Sequence, residues 1–274
     1  MFGNRGIKEI LRAIIGKQHY IAIINMARNY PDFLENTSRY LTGIGSYPYD
    51  IKIKTPIGII EPKLYSHHDM LTVNEIFCRS DYPADESVST VVDIGSNIGI
   101  SALYFLSRNN ESKCYLYEPD KRNIEKLKKN LSGFLKRYSL HENAVSYESG
   151  QLEFGIEATG RYGGIGIKSK EMIIVNCLEI NDVIKNVLSN EGYIDILKID
   201  TEGVEIKTVE NIEVDLLRRI KIIYLEAKPK HQLHSSIFKQ KQYGSVCQLV
   251  NKEHITLIRL PLVKGKKSPL ADFE

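Results

Sequence analysis

The feature that most constrains the fold is an apolar run that enters a glycine loop and continues as a helical pattern. Residues 91–101 read VVDIGSNIGIS, and the segment ALYFLSR follows directly. Glycine adopts conformations that a side chain disfavours and lets the backbone approach a ligand closely. We therefore expect a strand, a loop able to cradle a nucleoside, and a helix, in that order.

The spacing of the glycines favours a nucleoside that carries no pyrophosphate. A dinucleotide site usually shows G-x-G-x-x-G, whereas Asn97 here occupies the place of the middle glycine between Gly95 and Gly99. S-adenosylmethionine has no pyrophosphate to bind at the helix N-terminus, so it does not need the tighter turn. The pattern predicts S-adenosylmethionine as the cofactor and disfavours NAD, with a purely structural turn as the alternative.

Two further segments fit the same cofactor. Glu118, in YLYEPD, ends the next apolar run, and a carboxylate there can accept hydrogen bonds from both ribose hydroxyls. Asn143, in HENAV, ends the run after that, where adenine contacts would fall, although a surface turn explains that segment nearly as well. We expect the cofactor to be bound by Asp93, Gly95, Asn97, Gly99, Ser101, Glu118 and Asn143.

The pattern beyond the polar stretch at 80–87 alternates strands with helical periods, which predicts a mostly parallel sheet with helices on both faces. We expect seven strands, at 89–94, 113–118, 138–145, 194–200, 219–226, 244–250 and 255–260. We expect helices at 99–109, 120–137, 178–189, 203–213 and 231–241. Residues 146–176, which are rich in glycine, are predicted to form a small strand pair and a loop beside the cleft.

The amino-terminal part is predicted to be an appendage of helical and β-hairpin structure. Residues 7–26 place Ile7, Ile10, Leu11, Ile14 and Ile15 on one helical face, and the alternation at 49–61 around TPIG indicates a hairpin. A lid or dimerisation helix is the favoured interpretation, and a membrane-surface helix is weaker because the polar face is not notably basic. The chain is thus divided into an appendage at 1–88 and a Rossmann-like domain at 89–274.

Composition narrows the class of protein further. The formal net charge of +3 over 274 residues does not by itself indicate a nucleic-acid or membrane partner. The four cysteines form no C-x-x-C pair, so neither a zinc site nor a disulfide framework is expected. No run has the length of a membrane span and no signal peptide is evident, so we expect a cytoplasmic protein.

Carboxylates at predicted strand ends are the candidate catalytic residues. Asp200 and Glu202 follow the apolar run ILKI, and Glu226 ends the run IKIIYL, so all three should open onto the same edge of the sheet. Asp200 could instead cap the following helix, with Glu202 and Glu205 merely favouring its first turn. Lys198 could pair with a cleft carboxylate or extend to solvent, and His67 and His68 could reach the cleft as a base.

These motifs together resemble the FkbM family of methyltransferases. The resemblance rests on VVDIGSNIGIS at 91–101, YEPD at 117–120, NAVSYESG at 143–150, LKIDTEGVE at 197–205 and IIYLEAK at 222–228. It implies a class I methyltransferase fold and methyl transfer from S-adenosylmethionine, commonly to a hydroxyl of a sugar or secondary metabolite. Tyr82 and Asp69 resemble positions that precede the glycine loop in that family, which implies that they close over the cofactor.

Other functions remain open at this stage. RNA ribose 2′-hydroxyl methylation would use Asp200 and Glu226 as acids, with basic residues of the predicted helix at 120–137 holding phosphate. Those basic residues lie all around the helix, which favours a solvated face and makes a nucleic-acid partner unlikely. A non-catalytic nucleotide-binding protein is a further alternative. We expect a small-molecule or glycan acceptor, no metal, and a homodimer if the amino-terminal helix mediates association.

Overall fold

The computed structural model describes residues 17–156, 163–165, 171–201 and 203–254. Its α-helices are α1 (Lys17–Asn29), α2 (Phe33–Thr42), α3 (His67–Val73), α4 (Ile100–Leu106), α5 (Lys121–Asn130), α6 (Ile180–Glu191), α7 (Glu205–Glu210) and α8 (Val214–Leu217). A π-helical turn (Asn74–Cys78) continues α3, and a 3-10 turn (Ser132–Phe134) follows α5. The strands before the glycine loop are β1 (Tyr49–Asp50), β2 (Ile53–Thr55), β3 (Gly58–Ile60), β4 (Lys63–Leu64) and β5 (Thr90–Ile94). The remaining strands are β6 (Lys113–Tyr117), β7 (Tyr138–His141), β8 (Ala144–Ser146), β9 (Gly150–Ile156), β10 (Gly163–Ile165), β11 (Glu171–Glu179), β12 (Ile194–Ile199), β13 (Ile220–Leu225), β14 (Phe238–Tyr243) and β15 (Val246–Asn251).

Within the described residues, the main sheet has seven strands in the order β14-β15-β13-β12-β5-β6-β7. The pairs from β13 through β12, β5 and β6 to β7 are all parallel, and β15 runs antiparallel to both of its neighbours. The direction of strand succession reverses between β5 and β12, and ligands of open α/β sheets bind at such a reversal, outside the carboxyl ends of the strands. The predicted Rossmann-like class I methyltransferase fold is confirmed.

The two faces of the sheet are covered by separate apolar cores, as an α/β architecture requires. Side chains alternate along β5, so that Val91 joins one core and Val92 the other. The Val91 core includes α4 and much of the amino-terminal segment, and the Val92 core includes α6 and the helices after β12. Every residue of β5 is buried, which explains why its sequence is a continuous apolar run and not an alternating one.

A second sheet of four strands, in the order β10-β9-β11-β8, lies in the region predicted to hold a strand pair. The strand expected at 138–145 is two strands: β7 belongs to the main sheet and β8 pairs with β11 in the small one. The interruption falls at Glu142 and Asn143, two adjacent polar residues of that run. The small sheet therefore begins directly beside the carboxyl end of β7.

The prediction of a helix at 231–241 is wrong, because residues 238–243 form β14. Tyr243 pairs with Val246 across a two-residue turn in which Gly244 has a φ of +58°. The second strand of this hairpin is β15 at 246–251, close to the strand expected at 244–250. The strand expected at 255–260 lies outside the described residues. Lysine and glutamine dominate β14 because it is an edge strand, where such residues discourage pairing with other chains.

The amino-terminal segment packs on the main sheet through α1, α3 and the short strands. The predicted hairpin at 49–61 is confirmed as β2 and β3, which pair antiparallel. Of the helix expected at 7–26, the part up to residue 16 lies outside the described residues. Within the described ranges, no helix is both long and apolar enough to cross a membrane.

Candidate active site

A cavity of about 250 Å³ opens at the carboxyl ends of β5, β12 and β13. The glycine loop forms one side with Gly95, Ser96, Asn97, Ile98, Ile100 and Ser101. The strand ends contribute Lys198, Asp200 and Glu226, and the amino-terminal segment contributes His68, Asp69, Thr72, Glu75, Ile76, Asp81 and Tyr82. Five carboxylates and one lysine thus line this cavity, which gives it a net negative charge.

Gly95 is required by the protein backbone around it. Its φ is +77°, and a Cβ atom placed on it would lie 1.9 Å from the carbonyl oxygen of Asp200. Its N–H donates to the carbonyl oxygen of Tyr117 at 2.9 Å. Gly95 therefore joins the end of β5 to the ends of both neighbouring strands, β6 and β12. At Gly99, with φ +86°, the first contact would be Leu127 of α5 at 3.1 Å.

Asp93 and Lys198 form a buried ion pair beneath the loop. Lys198 Nζ lies 3.0 Å from Asp93 Oδ1 and 3.4 Å from Asp200 Oδ2, and it donates to the carbonyl oxygen of Gly95 at 3.1 Å. Burial alone lowers the pKa of Lys198, but the charges of Asp93 and Asp200 raise it above its ordinary value. Ser101 Oγ donates to Asp93 Oδ2 at 2.5 Å. Lys198 thus pairs with a cleft carboxylate, and Asp93 supports the loop from below.

Glu118 is buried at the end of β6, with its carboxylate turned toward the glycine loop. Its Oε2 accepts the N–H of Asn97 at 2.8 Å, and its Oε1 accepts the N–H of Asp120 at 2.9 Å. Burial raises the pKa of Glu118 to about 7, although these two amide donors oppose the increase. Each oxygen has a second lone pair, so this carboxylate can still accept hydroxyl donors.

A smaller pocket continues the cleft past Asp200 toward the small sheet. It is lined by Tyr117, Pro119, Asn143, Ala144, Val145, Phe154, Asp200 and Thr201. The predicted residue Asn143 lies here, and the mostly apolar lining suits a flat heterocycle. Phe154, on β9, was not anticipated from the sequence, because only the alternating pattern of 150–156 marks its strand.

Asp200 and Glu226 follow adjacent strands and line the same cavity. The backbone N–H of Asp200 donates to Ile94, and that of Glu226 donates to Ile199, so each residue continues the ladder of its strand. The phenol of Tyr82 donates to Glu226 Oε2 at 3.3 Å. Glu226 reaches solvent in the cleft, yet partial burial and the nearby charge of Asp200 raise its pKa to about 7, with Lys198 opposing.

Asp200 and Glu205 have different roles at the start of α7. Helix α7 has Val204 at its N-cap and no side-chain cap, so Asp200 does not cap it. Glu205 Oε1 accepts the N–H groups of Thr201 and Gly203 at 3.1 and 2.9 Å, which closes the turn between strand and helix. Glu205 is therefore structural, and Glu202 lies outside the described residues.

The amino-terminal segment supplies a wall of the cavity that the sequence only partly indicated. His68 lines the cavity and His67 is not among the lining residues. Asp69 also lines it, but its carboxylate accepts the N–H groups of Tyr65 and Ser66 in a capping box at the start of α3. Tyr82 was indicated by the family resemblance alone. Thr72, Glu75, Ile76 and Asp81 were not anticipated, since no motif marks them.

The chain matches the family model of the methyltransferase FkbM domain over residues 93–247, which is more than half of its length. No curated protein sequence matches it significantly.

Solved structures that resemble this chain include M. capricolum TrmK in complex with S-adenosyl-homocysteine, at 12% identity, covering 66% of this chain and 67% of that one, with a TM-score of 0.39. A methyltransferase from Geobacter sulfurreducens is 15% identical over 61% of this chain and 72% of its own, with a TM-score of 0.36. An rRNA methylase from Streptococcus thermophilus is 12% identical over 67% of this chain and 95% of its own, with a TM-score of 0.37. At TM-scores this low, the three structures add nothing to the assignment of function.

Proposed function

Because this chain belongs to the FkbM family and is an S-adenosylmethionine-dependent methyltransferase, we propose that its acceptor is a hydroxyl group of a sugar, a glycan or a secondary metabolite. One observation carries the proposal. Glu226 lies on the wall of the cavity that the glycine loop also lines, where burial and the charge of Asp200 raise its pKa to about 7. A general base is most effective when its pKa is near the working pH, and a hydroxyl acceptor has a proton to lose.

The residues around the loop fit S-adenosylmethionine. Glu118 would accept the ribose hydroxyls, because its carboxylate lies beside the loop and is largely shielded from water. Asn143 and Phe154 would contact the adenine in the smaller pocket. Gly95, Asn97 and Ser101 would border the amino-acid end of the cofactor. Asp93 and Gly99 would act indirectly, by holding the loop and α5 in place.

The residues of the chain would then align the acceptor and manage its proton. The cofactor, when bound, supplies an activated methyl group, so the protein needs little covalent machinery. Glu226 would take the proton of the acceptor hydroxyl, and the phenol of Tyr82 would hold the carboxylate in place. Asp200, at the junction of the two pockets, would orient the acceptor. Glu202, which lies outside the described residues, stays a further candidate.

The charges around the cavity favour an acceptor without phosphate groups. Its lining carries five carboxylates and one lysine, and even with Arg79 paired to Glu75 and Asp81 the net charge is negative, which would repel a nucleic-acid backbone. Several of the basic residues at 121–137 are already engaged: Lys128 pairs with Glu142, Arg122 pairs with Asp120, and Arg137 donates to the carbonyl oxygens of Leu106, Asn109 and Ser112. These contacts occupy part of the basic charge of the segment 121–137 within the protein, which does not favour RNA methylation.

Transfer of labelled methyl from S-adenosylmethionine into fractions of a cell extract tests the proposal. We expect label in the neutral sugar, glycan or small-metabolite fraction, in a linkage that resists mild base as a methyl ether does. RNA purified from the same extract serves as the competing acceptor. Label that enters RNA alone, or that is released by mild base as from a methyl ester, would contradict the proposal.

Cofactor affinity should depend on pH through Glu118. Its ionised form accepts the ribose hydroxyls best, and its raised pKa of about 7 means that protons compete with the ligand below neutrality. We expect S-adenosylhomocysteine affinity to fall by up to about tenfold per pH unit below pH 7 and to level off above it. Calorimetric titration from pH 5.5 to 8.5 measures this. Glu118→Gln is the control, and the same pH slope in both proteins would remove Glu118 from the site.

We also propose a boundary near residue 88 between the amino-terminal appendage and the Rossmann-like domain, and association of two chains through the amino-terminal helix. The apolar core on one face of the sheet contains residues from both sides of that boundary, such as Met26 and Leu116. The amino-terminal segment and the sheet are therefore expected to unfold together. Ile21 and Ile24 of α1 are exposed and could serve in a homodimer.

A further inference from the structure

The acceptor side of the cavity is shaped by an unusual backbone segment. Helix α3 passes into the π-helical turn, in which the N–H of Arg79 donates to the carbonyl oxygen of Asn74 at 2.8 Å, five residues back. Glu75 and Ile76 of this turn line the cavity. Ser80 then takes a φ of +59°, and the chain delivers Asp81 and Tyr82 to the same wall. π-helical turns are rare and occur frequently at functional sites.

Two asparagines of α1 hold the end of that turn. Asn25 Nδ2 donates to the carbonyl oxygen of Cys78 at 2.7 Å, and Asn29 Nδ2 donates to that of Phe77 at 2.8 Å. The last carbonyl groups of a helix have no partner within it, so they need donors from elsewhere. The two side-chain amides thus donate the hydrogen bonds that a capping residue or water would otherwise supply.

The orientation of α1 is consistent with this task. The side of α1 that faces the protein carries Ala22, Asn25, Met26 and Asn29, whereas Ile21 and Ile24 are exposed. Apolar packing alone would favour turning the isoleucines inward. Instead, Ala22 and Met26 provide the buried contact, and the two asparagines beside them provide directed hydrogen bonds.

We propose that Asn25 and Asn29 are positioning residues for the acceptor, which act by holding the turn 74–78 in the shape that places Glu75, Ile76 and Tyr82 on the cavity wall. This inference rests on the proposed function, in which Glu226, the hydrogen-bond partner of Tyr82, takes the proton of the acceptor. Neither asparagine lines the cavity, and the cofactor loop is formed by other elements. Loss of the two donors should therefore affect the acceptor side and leave cofactor binding unchanged.

The test uses Asn25→Asp, Asn29→Asp and the double variant, because aspartate keeps the volume of asparagine and removes the amide donor. Asn25→Ala and Asn29→Ala are second variants that avoid placing a carboxylate against a carbonyl oxygen. The matched control is Asn190→Asp, since the amide of Asn190 also donates to a carbonyl oxygen, that of Asn186 on the exposed side of α6. Three quantities are measured on the full chain. The first two are S-adenosylhomocysteine affinity and hydrogen exchange of the Arg79 and Asp81 amides. The third is transfer of labelled methyl at limiting and saturating concentrations of the extract fraction that contains the acceptor.

We expect S-adenosylhomocysteine affinity within about twofold of the wild type in every variant. Exchange at Arg79 and Asp81 should accelerate by about tenfold in the double variant, the scale of losing one or two net hydrogen bonds. The apparent KM for acceptor should rise by about tenfold, with a smaller change in kcat, and Asn190→Asp should change none of the three. Asn29→Gln, which keeps an amide donor, should recover part of the loss.

Unchanged exchange and unchanged KM in the double variant would overturn the inference. A parallel loss of cofactor affinity and thermal midpoint would also overturn it, because that pattern indicates a merely structural role for α1. If the wild type transfers no label to any hydroxylated acceptor, the proposed function fails. Exchange at Arg79 and Asp81 then still decides whether the asparagines hold the turn.

Discussion

Gly95→Ala is expected to reduce S-adenosylhomocysteine affinity by at least about a hundredfold, although it adds only one methyl group. The added Cβ would lie 1.9 Å from the carbonyl oxygen of Asp200, and the backbone of residue 95 has a positive φ. The loop or the end of β12 must therefore move. Strain at positive φ and overpacking each cost about 1–3 kcal/mol, and about 3 kcal/mol taken from binding corresponds to roughly a hundredfold.

Gly133→Ala is the matched control, because Gly133 lies in the 3-10 turn with open space around its Cβ position. We expect its affinity and thermal midpoint to be close to those of the wild type. Calorimetry with S-adenosylhomocysteine and thermal unfolding of both variants measure the effect. Tight binding by Gly95→Ala would show that the loop tolerates the displacement and that the close approach of β5 and β12 is not needed for the site.

The sequence predicts which residues of the candidate site follow strand ends, because the signals for these residues are local. A glycine loop after an apolar run, an acid at the end of the next run, and carboxylates after two further runs each mark a strand end. The carboxyl ends of parallel strands meet at one edge of the sheet, so Gly95, Glu118, Asp200 and Glu226 could be placed together without a structure.

The roles of the buried groups could not be predicted, since they depend on which strands are neighbours. From the sequence, Asp93 and Gly95 are predicted to lie in a ligand loop, and the glycine at position 95 is attributed to the space that a ligand needs. The structure shows instead that Gly95 is limited by Asp200, and that Asp93 pairs with Lys198, more than a hundred residues further along the chain. The pairing of β5 with β12 creates both contacts.

The amino-terminal wall was the least predictable part of the site. Helical periodicity assumes that apolar residues face the protein, whereas α1 directs Asn25 and Asn29 inward and exposes Ile21 and Ile24. The reason is tertiary, because the carbonyl oxygens of Phe77 and Cys78 require donors. The strand β14 was missed for a related reason, since an edge strand rich in lysine and glutamine also fits a helical pattern.

Glu226→Gln is expected to lower single-turnover methyl transfer by about a hundredfold or more, the usual contribution of a positioned base. Glutamine keeps the shape of the side chain and can still accept the hydrogen bond of Tyr82, but it cannot take a proton. Glu226 is not part of the cofactor loop, so S-adenosylhomocysteine affinity should stay within a few-fold. Transfer of labelled methyl after rapid mixing, measured from pH 5.5 to 9, gives both the rate and its pH dependence.

The pH dependence separates a base from a residue that only shapes the cavity. Burial and the charges of Asp200 and Glu75 raise the pKa of Glu226, and Lys198 and Ser245 oppose them, with a net increase to about 7. In the wild type the rate should therefore rise with pH and level off above about 7, and in Glu226→Gln that rise should disappear. Asp200→Asn removes a negative charge beside Glu226, which lowers its pKa, so the rise should move to lower pH while cofactor affinity changes little. If Glu226→Gln keeps the wild-type rate and the same rise, Glu226 is not the base. An unmoved rise in Asp200→Asn would show that the two carboxylates do not interact as their positions at the ends of β12 and β13 require.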